Sequence, residues 1–285
     1  MLGKDHLEIS LMFSVPFILY LIFYILDFGL PIYIAVVFPM CIAIGSLTPD
    51  ADCKGKPALY HKHQPVYILM IPIHRFIFLL TKRFLTQYPD RFDMVKEEHR
   101  GMLHSFVGVF LSSFILTVIF SIFSLILLYF LELFSFSNLF YIFIFGFIGL
   151  LLGQILHLAE DSCTKSGIKW FLPFSKKLIR GNISTKSEKG NELKDIRPRY
   201  FAKILGITGG ISTFLIILSW SYMPEYLFYS LFAAFIIQCL AFLYLHSIAQ
   251  QKLEGSRWHQ NLKEWKKKEK EKAKRRQKEM DNLFK

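Results

Sequence analysis

The stretch SFVGVFLSSFILTVIFSIFSLILLYFL, residues 105–131, contains no charged side chain and decides the fold class. A run of about 18 or more apolar residues is long enough to cross the hydrocarbon core of a bilayer as a helix. Further runs of this kind lie near residues 9–26, 29–47, 137–158, 201–222 and 225–249. The sequence therefore predicts an all-α fold, a polytopic transmembrane helical bundle of about six spans.

Two apolar segments have more than one possible interpretation. The apolar segment near 66–80 contains Pro72, His74 and Arg75, so we interpret it as an interfacial or re-entrant helix and not as a span. The first run could be read as a signal peptide. No small-x-small cleavage site follows it, and we expect it to be a retained span.

The distribution of basic residues predicts the orientation in the membrane. Lysine and arginine are absent from residues 5–53, 101–164 and 204–251. With six spans, the three tight connections between paired spans carry no basic residue, so all lysines and arginines fall on the opposite side. By the positive-inside rule that side is the cytoplasm. We therefore predict a multi-pass protein of the cell (inner) membrane with both termini in the cytoplasm.

Composition divides the chain into four parts. These are a membrane-embedded metal-site domain (1–175), a polar cytoplasmic linker (176–200), a transmembrane helical hairpin (201–250) and a basic cytoplasmic tail helix (251–285). The tail could lie on anionic headgroups or form a solvated charged helix. No nucleic acid is expected as a partner, because the membrane lipid beside the tail is a simpler electrostatic partner.

Candidate functional residues lie beside the apolar runs, where ionisable groups are costly and need a reason. They form four clusters: His6, Asp50 with Asp52, His99 with His104, and His157 with Asp161. In the six-span arrangement all seven lie at the cytoplasmic face, although the charge argument did not require it. Imidazoles and carboxylates are the ligands of zinc and other transition metals. The sequence therefore predicts one shared metal site.

The spacing within the clusters gives local expectations. His157 and Asp161 are four apart on a helix, so both project from one face and could chelate one ion. Pro49 should end the preceding helix, and the chain after it should be extended or turn-like. In an extended stretch Asp50 and Asp52 would point to the same side. Taken alone, each pattern could equally reflect polar groups at a helix end.

The segment HRGMLHS, residues 99–105, supplies the third cluster. We expect His99 in the loop before the next helix and His104 in its first turn. Arg100 between them could bind an anionic phosphate or carboxylate through two hydrogen bonds, or could contact headgroups. Cys53 and Cys163 stand beside the carboxylates and could act as spare ligands.

On these motifs the chain resembles a prokaryotic family of membrane-bound metal-dependent hydrolases. The shared pattern is an early histidine, PD-x-D, HRG-x-x-HS, and H-x-x-x-D-x-x-T with a following glycine and proline. The matching positions are His6, Pro49–Asp52, His99–Ser105, His157, Asp161, Thr164, Gly167 and Pro173. The resemblance covers roughly residues 1–175. The insert between Asp52 and His99, the hairpin and the basic tail depart from it.

The resemblance implies a hydrolase with one or two divalent ions, zinc first, with manganese or iron as alternatives. Glu160 or the second aspartate of the pair Asp50 and Asp52 would act as general acid or base. Arg100 would steady an anionic substrate, and Ser105 and Thr164 would support the ligands. A distant similarity to helical zinc phosphoesterases of the phospholipase C type favours a phosphoester or lipid-like substrate.

Two other functions are compatible with the same residues. Seven candidate ligands could saturate a structural ion in a non-enzymatic integral membrane protein. Transport of a metal or anion is disfavoured, because the ligands cluster at one face and not near the bilayer midplane.

Overall fold

The computed structural model describes residues 3–52, 64–85, 100–132, 134–184, 195, 197–251 and 271. Within these ranges the regular structure is helical, apart from isolated β-bridges. The helices are α1 (Gly3–Phe28), α2 (Ile34–Gly45), α3 (Gln64–Leu85), α4 (Phe106–Phe130), α5 (Phe136–Ser162), α6 (Arg197–Tyr222) and α7 (Leu227–Gln250). Short 3-10 turns cover Thr48–Asp52, Met102–His104 and Pro224–Tyr226. The predicted all-helical bundle is confirmed.

Five helices, α1 and α4 to α7, are long and apolar enough to cross a membrane. The shortest of them, α7, has 24 residues. At a rise of 1.5 Å per residue it extends about 36 Å, against about 30 Å for a hydrocarbon core. Many large apolar side chains on these helices are exposed, as expected for surfaces that face lipid.

The sixth predicted span, near 29–47, is wrong in its length. Helix α2 has only 12 residues, about 18 Å, and cannot cross a hydrocarbon core as a helix. Gly29, with φ of 62°, turns the chain after α1. Pro31 lies in the next turn, and its carbonyl oxygen accepts a hydrogen bond from Ile34 N. Several apolar residues of the run therefore lie in turns and not in the helix.

Helix α2 packs against α5 through glycines that let the two backbones touch. A Cβ at Gly153 would collide with the carbonyl oxygen of Ile42, and a Cβ at Gly45 would collide with that of Leu150. Small residues at such crossings allow close packing in membrane helices. The contact brings the end of α2 alongside the last turns of α5.

We expect Gly153→Ala to destabilise the fold by about 1–3 kcal/mol, because overpacking would push α2 away from α5. Gly146→Ala on the same helix is the matched control. Its Cβ would meet nothing closer than 3.8 Å, so the better helix propensity of alanine should leave stability unchanged or raised. Unfolding in mixed micelles, followed by circular dichroism, measures the difference. Equal stability of the two variants would contradict this packing.

The predicted interfacial segment near 66–80 is part of the longer helix α3, which is not among the five long spans. One face buries Met70, Ile73 and Ile77, spaced as on a single helical stripe. They pack with Met102 and Leu103 in one core cluster. The helix thus buries one face against the core. Its location at the membrane interface stays a prediction.

The hairpin of α6 and α7 packs against α1. Ile9 and Phe13 of α1 share a core cluster with Phe201, Leu205 and Leu245. The division of the chain into four parts stays a prediction. Of the basic tail, only Gln251 and Glu271 belong to the described residues, so its predicted helix lies outside them.

A fully buried arginine ties together the start of α6, the end of α7 and the loop after α5. Arg197 Nη2 lies 2.6 Å from Asp195 Oδ2, and its Nε also donates to that carboxylate. Its other donors reach Gln251 O at 2.9 Å and Asn182 O at 2.7 Å. The guanidinium therefore neutralises a buried carboxylate and satisfies a carbonyl just beyond α7.

Candidate metal centre

Asp50 is placed by the 3-10 turn that follows α2. Thr48 Oγ1 donates to the carbonyls of Ile44 and Gly45, each at 2.9 Å, and carries the chain from α2 into the turn. Of the two conformations expected after Pro49, extended or turn-like, the structure has the turn-like one, because Thr48–Asp52 form a 3-10 helix. The side chain of Asp52 lies outside the described part of the chain.

His104 is placed by the turn before α4. It ends the 3-10 turn Met102–His104, while α4 begins at Phe106, so the prediction that His104 lies in the first helical turn is wrong. Ser105 is the N-cap: its side chain accepts from Gly108 N and donates to Met102 O at 2.7 Å. Ser105 thus holds the turn that carries His104. His99 lies outside the described residues.

His157 lies in the last turns of α5 and is oriented by a backbone carbonyl. Its Nδ1 lies 2.7 Å from Ser46 O, at the end of α2. A carbonyl only accepts, so Nδ1 carries a hydrogen, and in the neutral imidazole it is Nε2 that keeps the lone pair. Nε2 is buried and has no hydrogen-bond partner among the described residues. A neutral imidazole held in this way is suited to binding a metal.

Four side chains converge at this nitrogen: Asp50, His104, His157 and Asp161, with ligand atoms all within 4.8 Å of one another. His157 Nε2 lies 3.6 Å from Asp50 Oδ1 and 3.9 Å from Asp161 Oδ2. His104 Nε2 lies 3.8 Å and 3.5 Å from the same two oxygens. Four ligands around zinc at their usual bond lengths are about 3.4 Å apart. The cluster is therefore only slightly wider than a tetrahedral site.

The electrostatics of the cluster also favour a cation. Asp161 is almost fully buried beside Asp50, and buried carboxylates must be compensated by positive charge or hydrogen bonds. Burial alone would raise the pKa of Asp50. The neighbouring imidazoles of His157 and His104 favour the charged form, outweigh burial and hold this pKa well below its usual range. Asp50 is therefore ionised and available as a ligand at neutral pH.

Arg100 contacts the cluster from the side of Asp161. Its Nη2 donates to Asp161 Oδ1 at 2.8 Å, and its Nη1 donates to Thr164 Oγ1 at 2.9 Å and to Gly167 O at 3.2 Å. Arg100 has φ of 65°, a left-handed conformation that is uncommon outside glycine. Arg100 and Thr164 thus position the carboxylate, and the predicted contact of Arg100 with substrate stays a prediction.

His6 and Glu160 form a pair next to the cluster. His6 Nδ1 lies 2.8 Å from Glu160 Oε2, and His6 Nε2 lies 3.5 Å from Asp161 Oδ1. The His6 ring stacks on His157 with centroids 3.9 Å apart. Ser10 Oγ donates to the other oxygen of Glu160 at 3.2 Å. The carboxylate of Glu160 therefore contacts His6, and His6 in turn lies beside the cluster.

The structure thus brings together five of the seven predicted ligands, four in the cluster and His6 beside it. Cys163 is not a fifth ligand of the cluster: its Sγ lies 3.4 Å from His246 Nδ1, and burial raises its pKa to about 12. Sequence reasoning missed Ser46. Its contact uses the main chain, so no residue type could have signalled it.

Comparison with known protein families bears on the whole arrangement. The family model described as YdjM inner membrane protein matches residues 29–244, more than half of the chain. The chain belongs to the YdjM inner membrane protein family. No curated protein and no solved structure matches it. Membership and the five long apolar helices together make it a multi-pass inner membrane protein.

In this YdjM family protein, the match includes all four residues of the cluster and begins after His6. Among the described residues around the cluster, only Asp50 and Arg100 have notable side-chain exposure, 14% and 13%. The side chains of His104 and His157 are fully buried, and that of Asp161 nearly so. Within the described part of the molecule, the cluster is therefore partly exposed only at Asp50 and Arg100.

Proposed function

We propose that this YdjM family protein is a metal-dependent hydrolase at the cytoplasmic face of the inner membrane, with its ion held by Asp50, His104, His157 and Asp161. The convergence of these four side chains is the observation that carries the proposal. The carbonyl of Ser46 supports it further, because it leaves His157 Nε2 available to bind a metal.

The ligand set favours one zinc ion, with manganese or iron as alternatives. Two imidazoles and two carboxylates suit zinc in a tetrahedral site. The two oxygens of Asp161 have different surroundings, since Oδ1 accepts from Arg100 and Oδ2 faces both histidines. A second ion at Oδ1 would compete with the guanidinium. We therefore propose a single ion.

The ion would supply an activated water and polarise the scissile group. The chain would supply proton transfer through His6, whose Nε2 faces Asp161 and whose Nδ1 contacts Glu160. Glu160, the predicted acid or base, would then orient His6. Asp50 borders the exposed side and could open a coordination position for substrate.

The substrate class follows from the depth of the site. Helix α1 begins at the cluster and helix α5 ends there, so the cluster lies at the ends of membrane helices. We propose that this end faces the cytoplasm, because the connections at the opposite ends of the helices contain no lysine or arginine. A site at headgroup depth suits a phosphoester or lipid-like substrate whose tail stays in the bilayer.

Hydrolysis and metal content should be measured on the purified protein with His104→Ala beside it. We expect phosphoester hydrolysis to be abolished by a chelator and restored by zinc or manganese, and His104→Ala to lose both metal and hydrolysis. His246→Ala is the matched control, because His246 contacts Cys163 and Gln250 and not the cluster. Full hydrolysis after metal removal would overturn the proposal.

A structural ion is the second candidate, and a specific observation favours it. Four protein ligands can complete a tetrahedral site and leave no open position. In that case the protein would hold one equivalent of metal, would hydrolyse neither phosphoesters nor carboxyl esters, and would lose helical circular dichroism on chelation. The hydrolase proposal expects a chelated protein that is inactive but retains its helices.

A further inference from the structure

The charged side chains of the loop that follows α5 are all positive. We call residues 165–180 the basic loop. All of its lysine and arginine side chains are exposed: Lys165, Lys169, Lys176, Lys177 and Arg180. The loop contains no aspartate or glutamate. The five exposed cations of this loop create a field that attracts anions.

The same loop exposes large apolar side chains. Phe171 is 47% exposed, Phe174 59% and Leu178 43%. The Phe171 ring packs on Phe106 with centroids 5.7 Å apart, and Trp170 packs on Phe106 at 4.8 Å. Phe106 opens the membrane helix α4. The exposed apolar side chains therefore adjoin the end of a helix that faces lipid.

The fold holds this arrangement in place. Ile168 and Ile179 exchange two backbone hydrogen bonds, each of 2.9 Å, across the loop. Ile168 and Leu172 are buried beneath it. Phe106 N donates to Trp170 O at 2.9 Å, which ties the loop to the start of α4. The cations and the apolar side chains are thus presented together by a fixed loop.

We propose that the basic loop is a binding surface for anionic phospholipids. Its lysines and arginine would contact the headgroup phosphates, while Phe171, Phe174 and Leu178 enter the boundary between headgroups and acyl chains. Basic residues near an anionic leaflet bind it electrostatically, and adjacent apolar side chains add burial. Charge complementarity together with apolar contact favours lipid over an acidic protein. The surface is separate from the proposed catalytic function.

Trp170 lies in the loop and can report on its lipid contacts. The full chain with Trp220, Trp258 and Trp265 each changed to Phe retains Trp170 as its single tryptophan. It should be placed in bilayers containing an equal fraction of brominated phosphatidylglycerol or brominated phosphatidylcholine. We expect stronger quenching by the brominated phosphatidylglycerol, and a smaller difference at high salt.

Charge removal tests the surface directly. In the single-tryptophan chain, Lys176→Gln with Lys177→Gln should reduce the preference for phosphatidylglycerol at least about fivefold. Arg199→Gln with Lys203→Gln is the matched control, because it removes two exposed cations from the start of α6. It should leave the preference unchanged. Equal quenching by the two lipids in the parent, weak quenching by both, or an unchanged preference in the lysine variant would overturn the proposal.

Discussion

Replacing His157 with alanine is expected to remove the bound metal from this protein, with an affinity loss of more than about 100-fold. Even a partner that only orients a ligand is typically worth about 10–100-fold in affinity. His157 would be lost as a ligand, and the constraint from Ser46 O would be lost with it. Metal per protein, by elemental mass spectrometry of the purified protein, measures the effect.

A second variant distinguishes loss of a metal ligand from misfolding of the His157→Ala protein. Asp50→Asn keeps the size of the side chain but removes its charge, and Thr48 still holds the turn that carries it. It should also lose metal while its helical circular dichroism and elution volume stay unchanged. His246→Ala should retain metal. Full metal content in both His157→Ala and Asp50→Asn would refute the centre.

Replacing Arg197 with alanine is expected to lower the free energy of unfolding by about 3–5 kcal/mol. The change leaves Asp195 buried without its cation, and it frees the carbonyls of Asn182 and Gln251. Chemical unfolding in mixed micelles measures the loss. The effect should exceed that of a surface substitution several-fold, because a buried uncompensated charge is among the costliest defects in a fold.

The control for this variant lies two residues further along α6. Arg199 is exposed, so Arg199→Ala should change stability by no more than about 0.5 kcal/mol. Arg197→Lys should fall between the two, because an ammonium retains the charge but cannot match the carboxylate and carbonyls with a planar fork of donors. Equal stability of Arg197→Ala and Arg199→Ala would show that the buried pair does not hold these helices together.

Much of the centre could be predicted before any coordinates. Asp50, His104 and the pair His157 and Asp161 come from three separate segments of the chain, yet all were expected at the same face, because six alternating spans would assign every helix end to one side of the membrane. The spacing of His157 and Asp161 predicted a shared helix face, and their side chains do converge. Hydropathy and helical period carry such information because they are local properties.

Other features depended on contacts that no local pattern encodes. Arg197 stands where a polar linker meets an apolar run and looks like any headgroup-binding arginine, but it is fully buried against Asp195. Arg100 contacts Asp161 and Thr164, and its expected role in holding a substrate stays a prediction. Glu160, expected as a general acid or base, contacts His6. Packing between distant segments buries Arg197 against Asn182 and Gln251 and brings Arg100 and Glu160 to their partners.

The sequence by itself determined the all-helical membrane fold, five of its long helices and the face on which the polar residues gather. It could do so because an apolar run in lipid must satisfy its own backbone hydrogen bonds and therefore forms a helix. Only the tertiary structure decided that α2 is short, that Gly153 lets it approach α5, and that Ser46 O orients His157. These depend on how two helices cross, which is a property of the packed pair and not of either segment alone.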